Sequence, residues 1–435
     1  MSDSYPELKK HVDGIKIIDT HEHLPSEEER ISQPVDVLSQ FFIHYTSSDL
    51  LSAGMPEEEL SMIRDTSLPL EDRWDVFEPW WEMIQNTGYS RCMEIAARDL
   101  YGVDGINHDT YMELSKRIAE QNKPGLYKWV LKEKAGIDIS VLDPLTDNQY
   151  VDREFFAPVL RIGDFVTISN RYELEVFARK YDAKIHSFSD LVSLVKNLFI
   201  CNTGIVGIKI AQAYRRPLYF EKRTFAEAEE SFNRLFKIRT FTRVITDPLK
   251  DESKMVPDSP GISELVPMQD YLVHLAITEA MKCDIPIQIH TGLHEGNENI
   301  LSNSDPMHLV NLFMEYHDAK FDIFHGSWPY CGTLGALAKN FPNVYVDMSW
   351  MHIISPAKSR TALSEWLDEF PVNKILGFGG DYLTVEGAYG HSVIARDNVA
   401  RVLSEKVDQG DYSIDQAKKY ASWILRDNPK RLFNL

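Results

Sequence analysis

Two histidines one residue apart, His21 and His23 in GIKIIDTHEHLP, close the first apolar run of the chain. In an extended segment alternate side chains share a face, so these imidazoles point one way and Glu22 the other. Side-by-side imidazoles are half of a metal site if the rest of the chain supplies the other half. Further polar residues end later apolar runs in the same manner: Lys209 in GIVGIKIAQAY, His290 in DIPIQIHTG, His325 in KFDIFHGSW and Asp381 in KILGFGGDY. Four imidazoles and a carboxylate form a ligand set suited to zinc or another borderline divalent ion, one or two per chain. A lone strand-end histidine is more often a satisfied structural residue. The concurrence of four, with an aspartate last, carries the metal reading.

Lys209 has three readings. It is a neutral amine ligand, a cation that holds a substrate carboxylate with Tyr214, Arg215 and Arg216 close behind it, or a lysine leaving a strand end for solvent. Arg161 ends the apolar run of PVLRIGDF, where a planar guanidinium suits bidentate carboxylate binding. Its bland alternative is an ion pair with Asp164 or with the long segment upstream. His294 and Glu295 follow His290 closely and, with Trp328, are placed at the mouth of the site; His352, Glu386 and His391 fall in later loops. His11, His44, His108, His186, His274 and His317 lack a strand-end context and read as surface or packing residues.

These residues need a scaffold that brings strand ends together. Eight β-rich apolar runs occur, at 14–23, 136–144, 155–165, 204–214, 284–292, 320–328, 343–350 and 374–382, with helical patterns such as DPMHLVNLFMEYHD and SRTALSEWLDEF between them. Several are continuously apolar, as parallel strands covered on both faces are. Eight strand-then-helix units predict an α/β fold, a (β/α)8 TIM barrel spanning 14–435, with chemistry at the C-terminal strand ends. An open doubly wound sheet is the alternative. Residues 24–135 read as a helical insertion after strand one, able to cap the barrel mouth, whose Trp74, Phe77, Trp80 and Trp81 read as core. In the second long connection, 215–283, the turn-rich stretch 247–267 predicts a loop. Ser413 is the expected N-cap of a closing helix.

The chain has 435 residues with 46 basic and 66 acidic side chains, a net charge of −20, which argues against nucleic acid or an anionic membrane as partner. No window approaches the ~18 consecutive apolar residues of a membrane helix, and the first residues do not resemble a signal peptide. Cys92, Cys201, Cys283 and Cys331 are widely spaced, as expected of reduced, mostly buried thiols in a cytoplasmic protein. A small molecule is the expected partner. Composition does not fix an oligomeric state.

The order of HxH on strand one, His on strands five and six and Asp on strand eight resembles the amidohydrolase superfamily of metal-dependent barrels, over residues 14–435. In finer detail GIKIAQAYRRPLYFE, HTGLHEGNENI, HGSWPYCGTLGALAKNFPNVYVDMSW and KILGFGGDY are similar to its amidohydrolase-related branch, and to the amidohydrolase domain fused to glutamine-synthetase-like proteins. The insertion and PVLRIGDF resemble uronate isomerase, whose later motifs are not matched. The resemblance implies that His21, His23 and Asp381 bind the buried metal, that His290 completes the site or bridges to a second ion, and that Asp381 takes a proton from metal-activated water. It implies that His325 ligates or, in single-metal relatives, polarises the scissile carbonyl. It further implies that Lys209 is carboxylated in two-metal relatives and that Arg161 occupies a substrate-binding position. The expected function is hydrolysis of an amide, lactone or ester of a small carboxylate-bearing molecule. A decarboxylase or uronate-type isomerase is the second reading, and a non-catalytic binding module the third.

Overall fold

The computed structural model describes residues 3–145, 151–201, 204–237, 241–247 and 252–435. Its strands are β1 (Ile17–Glu22), β2 (Ile137–Leu142), β3 (Phe156–Arg161), β4 (Gly207–Ile210), β5 (Phe241–Asp247), β6 (Glu252–Pro257), β7 (Ile287–His290), β8 (Phe321–Phe324), β9 (Val344–Asp347) and β10 (Ile375–Leu376). Eight of them form one parallel sheet in the order β1-β2-β3-β4-β7-β8-β9-β10. Every residue of β1, β4, β7 and β8 is buried, the polar Asp19, His21, Lys209, Gln288 and Asp322 included, as in parallel strands covered on both faces.

The ends of this sheet meet. Thr20 N donates to Phe378 O at 3.0 Å, Asp381 N to His21 O at 2.8 Å and His23 N to Tyr382 O at 3.2 Å. The segment after β10 thereby pairs with β1 and closes a (β/α)8 barrel. The sequential order excludes the doubly wound alternative, in which strand order reverses at a switch point. All the strand-end candidates consequently face one mouth.

Between β1 and β2 every regular element is helical, from Glu27–Ile31 to a π-helical turn at Lys128–Lys134. Trp74, Phe77 and Trp81 are buried in the core and Trp80 packs partly buried against it. This segment is tied to the barrel by a buried ion pair. Arg30 Nη2 donates to Glu386 Oε1 at 2.9 Å, and the Tyr101 hydroxyl donates to the same oxygen at 2.7 Å. Glu386 is thus a structural anchor.

The stretch 247–267 is not the loop its turn residues suggested. β5 and β6 pair antiparallel as a hairpin, and a long helix runs from Ile262 to Lys282. Residues 248–251 of that stretch lie outside the described residues. Asp258, Ser259, Pro260 and Gly261 fall between β6 and that helix, and β5, which pairs with β6, begins upstream of the stretch. Ser413 caps the helix Ile414–Ser422, its hydroxyl accepting from Gln416 N.

Gly292, just past β7, has φ +77°, and a Cβ there would lie 2.3 Å from Trp328 O. Leu293 N donates to that carbonyl at 2.7 Å, so the backbone is held close. Gly292→Ala would combine left-handed strain of about 1–2 kcal/mol with a backbone clash. It is expected to lower the thermal unfolding midpoint by several degrees, and an unchanged midpoint in a melting curve would contradict this packing.

Candidate metal centre and its cavity

A cavity of about 410 Å³ opens at the C-terminal ends of the strands, lined by His23, Asp143, Arg161, Lys209, His290 and Asp381 from the barrel and by His44 and Tyr45 from the helical insertion. Two groups of histidines meet at its floor.

In the first, His21 Nε2 lies 3.2 Å from His23 Nε2 and 3.6 Å from Asp381 Oδ1, while His23 Nε2 lies 3.3 Å from the same oxygen. A tetrahedral site with metal–ligand bonds of ~2.0–2.1 Å separates its ligand atoms by about 3.3–3.4 Å. The three measured edges fit that figure. His23 Nδ1 donates to Asp143 O at 2.8 Å, which leaves the Nε2 lone pair directed inward. His21 Nδ1 is buried without a partner.

The second pair is His290 and His325. His325 Nδ1 donates to Ser349 O at 3.0 Å, and His290 Nε2 donates to Leu293 O at 2.8 Å. The remaining nitrogens, His325 Nε2 and His290 Nδ1, face each other at 3.0 Å. Burial, with Lys209 and the neighbouring imidazoles, holds both rings well below the usual histidine range. Both are therefore neutral at pH 7, and two lone pairs meet head on. That arrangement is favourable with a cation between or beside them, a proton or a metal ion. The donor set fits a divalent ion.

Asp381 is positioned by strand-one carboxylates. Asp19 Oδ1 accepts from Gly380 N at 3.0 Å and from His21 N at 3.2 Å, and Glu22 Oε2 accepts from Tyr382 N at 2.9 Å. These bonds hold Asp381 at φ +56°, a left-handed conformation costing about 1–3 kcal/mol outside glycine. Burial pushes the Asp381 carboxyl up to about 7, although Lys209 opposes the shift. A carboxylate with this value can take and release a proton near neutral pH.

Lys209 does not leave the strand end for solvent. Its ammonium lies 3.1 Å from His21 Nε2 and sits 3.9 Å from the centroid of the Phe324 ring. Burial lowers it to about 8 against the pull of Asp143 and Asp381. Arg161 does not pair with Asp164, which binds Lys180 at 2.9 Å. Its Nη1 instead donates to Asp143 Oδ2 at 2.7 Å, leaving the rest of the guanidinium toward the cavity. Arg216 points away from the mouth and pairs with buried Asp270.

Tyr214, Arg215 and Glu295 line the cavity. His294 does not; it packs behind Tyr214 and stacks on His290 with ring centroids 5.4 Å apart. Trp328 is likewise not among the lining residues and packs partly buried against the core, because the chain turns back after His325. His352 and His391 are buried structural residues, bonded to Gly377 O at 2.9 Å and Gly380 O at 3.0 Å. His274 bonds the Tyr316 hydroxyl at 2.7 Å as a packing residue.

The sequence candidates omit several lining residues, among them Asp143, His44, Tyr45 and Trp350. Asp143 ends the apolar run of β2 as the other candidates end theirs, and its carboxylate lies with His21 and His23 in a group of ligand atoms within 4.8 Å. The strand-end rule applied there would have found it. His44 was read as surface or packing, yet it borders the cavity at φ +57°. Tyr45 stacks on Trp350 with centroids 4.4 Å apart, and its hydroxyl lies beside Asp381. Trp350 ends the apolar run 343–350, so the same strand-end rule reaches it, whereas nothing local marks His44 or Tyr45 of the insertion.

Beneath the site lies Asp322, fully buried, whose Oδ2 accepts from Gln288 Nε2 at 3.0 Å. Burial pushes its carboxyl from 3.8 to about 7. Between those values the folded chain keeps a proton that the unfolded chain releases, so this group contributes stability at low pH that is lost as pH rises. Asp322→Asn is expected to match the parent's thermal midpoint near pH 4 and to gain on it steadily toward pH 8. A pH-independent difference would contradict the assignment.

Residues 257–435 match the family model for amidohydrolases. Protein fluG of Emericella nidulans is 30% identical over 269 residues, covering 60% of this chain and 29% of that protein. The chain thus spans less than a third of the length of that relative. Uronate isomerase of Thermotoga maritima superposes with a TM-score of 0.79 at 15% identity, covering 100% of this chain and 98% of that one. A proposed metal-dependent hydrolase of Lactobacillus casei superposes with a TM-score of 0.61 at 18% identity, over 98% and 97% of the two chains. Both structural likenesses are of fold. Among the described residues no helix is long and apolar enough to cross a membrane.

Proposed function

We propose that this chain, whose residues 257–435 match the amidohydrolase family model, is a metal-dependent hydrolase of the amidohydrolase superfamily acting on an amide, lactone or ester of a small carboxylate-bearing molecule. The observation that carries this reading is the ligand-like triangle of His21, His23 and Asp381 beside the facing nitrogens of His290 and His325. His21, His23 and Asp381 hold a divalent ion, zinc by its nitrogen and carboxylate donors. His290, His325 and Lys209 complete the centre. When bound, the ion supplies Lewis acidity, polarising a carbonyl and lowering the pKa of water to about 7.

Asp381 accepts the proton of the attacking water at its carboxylate and returns it to the leaving group. Asp19 and Glu22 keep that carboxylate in place through the backbone of 380–382. Arg161, steadied by Asp143, presents its free N–H groups to a substrate carboxylate. The helical segment 24–135 caps the mouth and, through Tyr45 against Trp350, shields the reacting bond from bulk water. Cys92, Cys283 and Cys331 are free thiols, which supports a cytoplasmic setting.

A second reading, isomerisation or decarboxylation at the same centre, has one observation in its favour: Tyr45 places a second acid–base group beside Asp381. Product mass separates the readings. Hydrolysis adds one water to the substrate and, in 18O-labelled water, places the label in the product acid. A product of unchanged mass, or release of carbon dioxide, would replace the hydrolase assignment.

A further inference from the structure

The charged groups lining the cavity are paired, with two exceptions. Asp143 holds Arg161 at 2.7 Å, Asp164 holds Lys180 at 2.9 Å, and Asp381 and Lys209 belong to the histidine cluster. The Arg215 guanidinium and the Glu295 carboxylate remain, and among the described residues neither makes a side-chain hydrogen bond or an ion pair. Arg64 of the insertion acts on Glu295 only from beyond ion-pair distance.

Their places in the chain are set by Tyr214, which packs against the histidine cluster. Arg215 follows Tyr214 in the chain, and the Tyr214 hydroxyl accepts a hydrogen bond from Glu295 N at 3.0 Å. The Tyr214 ring packs on His290 with centroids 4.9 Å apart and on His294 at 4.7 Å. One tyrosine therefore spaces an unpaired cation and an unpaired anion above the histidine cluster. Left unpaired by each other, they leave room for a ligand that pairs both. A dianion would be repelled by Glu295, and a dication by Arg215. A simple carboxylate would leave the half-buried Glu295 unmatched, at a desolvation cost.

Building on the hydrolase reading, we infer that the cavity mouth receives the zwitterionic head group of an α-amino acid, its carboxylate on Arg215 and its ammonium on Glu295. The side chain then points inward and carries the scissile amide, ester or lactone toward Asp381. The substrate class narrows from small acids to side-chain derivatives of amino acids.

The test needs no turnover. Isothermal titration of the metal-loaded protein with L-norvaline, with pentanoate and with butylamine compares the head group with each half alone. L-Norvaline is expected to bind at least tenfold more tightly than either. Arg215→Gln and Glu295→Gln should each abolish that advantage with thermal midpoints unchanged, whereas Arg171→Gln, at an exposed position away from the cavity, should keep it. Pentanoate binding as tightly as L-norvaline, an advantage that survives both rim substitutions, or no L-norvaline binding at millimolar concentration would overturn the inference. None of the probes can be hydrolysed. A lost preference therefore leaves the hydrolase reading standing, and a failure of hydrolysis with the preference intact sinks only that reading.

Discussion

Replacing Asp381 by asparagine is expected to cut turnover by about 10²–10⁴-fold, the range of a positioned general acid–base group, while the protein stays folded. The isosteric amide keeps the shape of the loop, whose backbone is held by Asp19 and Glu22 and by the bond from Asp381 N to His21 O at 2.8 Å. What it loses is the ability to accept a proton. Burial places that carboxyl at about 7, where both protonation states are accessible at neutral pH. Steady-state kinetics on a true substrate, with a melting curve to verify folding, checks the expectation. Turnover within a few-fold of the parent would remove Asp381 from the chemistry.

The second large effect concerns stability. Stripping the protein with a chelator is expected to lower its thermal midpoint by several degrees, and restoring zinc to recover it. The reason is the set of inward-facing donors: His325 Nε2 and His290 Nδ1 at 3.0 Å, and His21 Nε2 and His23 Nε2 at 3.2 Å. With their outer nitrogens committed to carbonyls, the His290 and His325 rings, and His23 beside them, present lone pairs to one another, and an ion relieves that repulsion. A ligand held at 1,000 times its dissociation constant stabilises the folded state by about 4 kcal/mol. In His21→Ala the midpoint should no longer respond to zinc to the same extent. A midpoint indifferent to chelator and to zinc would mean that these histidines are structural.

Much of this architecture is legible in the sequence because burial leaves a local record there. All eight barrel strands lie inside the β-rich apolar runs, and His21, His23, Lys209, His290, His325 and Asp381 fall at or near the C-terminal ends of those runs, where a barrel gathers its side chains. Other features depend on pairing at a distance. The alternative reading of Arg161, an ion pair with its sequence neighbour Asp164, gives way in the structure to a pair with Asp143 across β2 and β3. The hairpin of β5 and β6 was hidden because turn residues alone do not say which strand returns. His44 and Tyr45 reach the mouth only because the segment between β1 and β2 folds over it, and no periodicity encodes that. His294 and Trp328 were close in sequence to strand ends but rotated away from the cavity, since one packs behind Tyr214 and the other against the core.

On the proposed function, the strand-end cluster of His21, His23 and Asp381 binds a metal. The most direct measurement is elemental analysis of metal per chain, on protein purified without chelator and supplied with zinc, for the parent and for the His21→Ala/His23→Ala double variant. At least one divalent ion per chain is expected in the parent, and its loss in the double variant. A parent free of metal, or a double variant that retains the full complement, would contradict it.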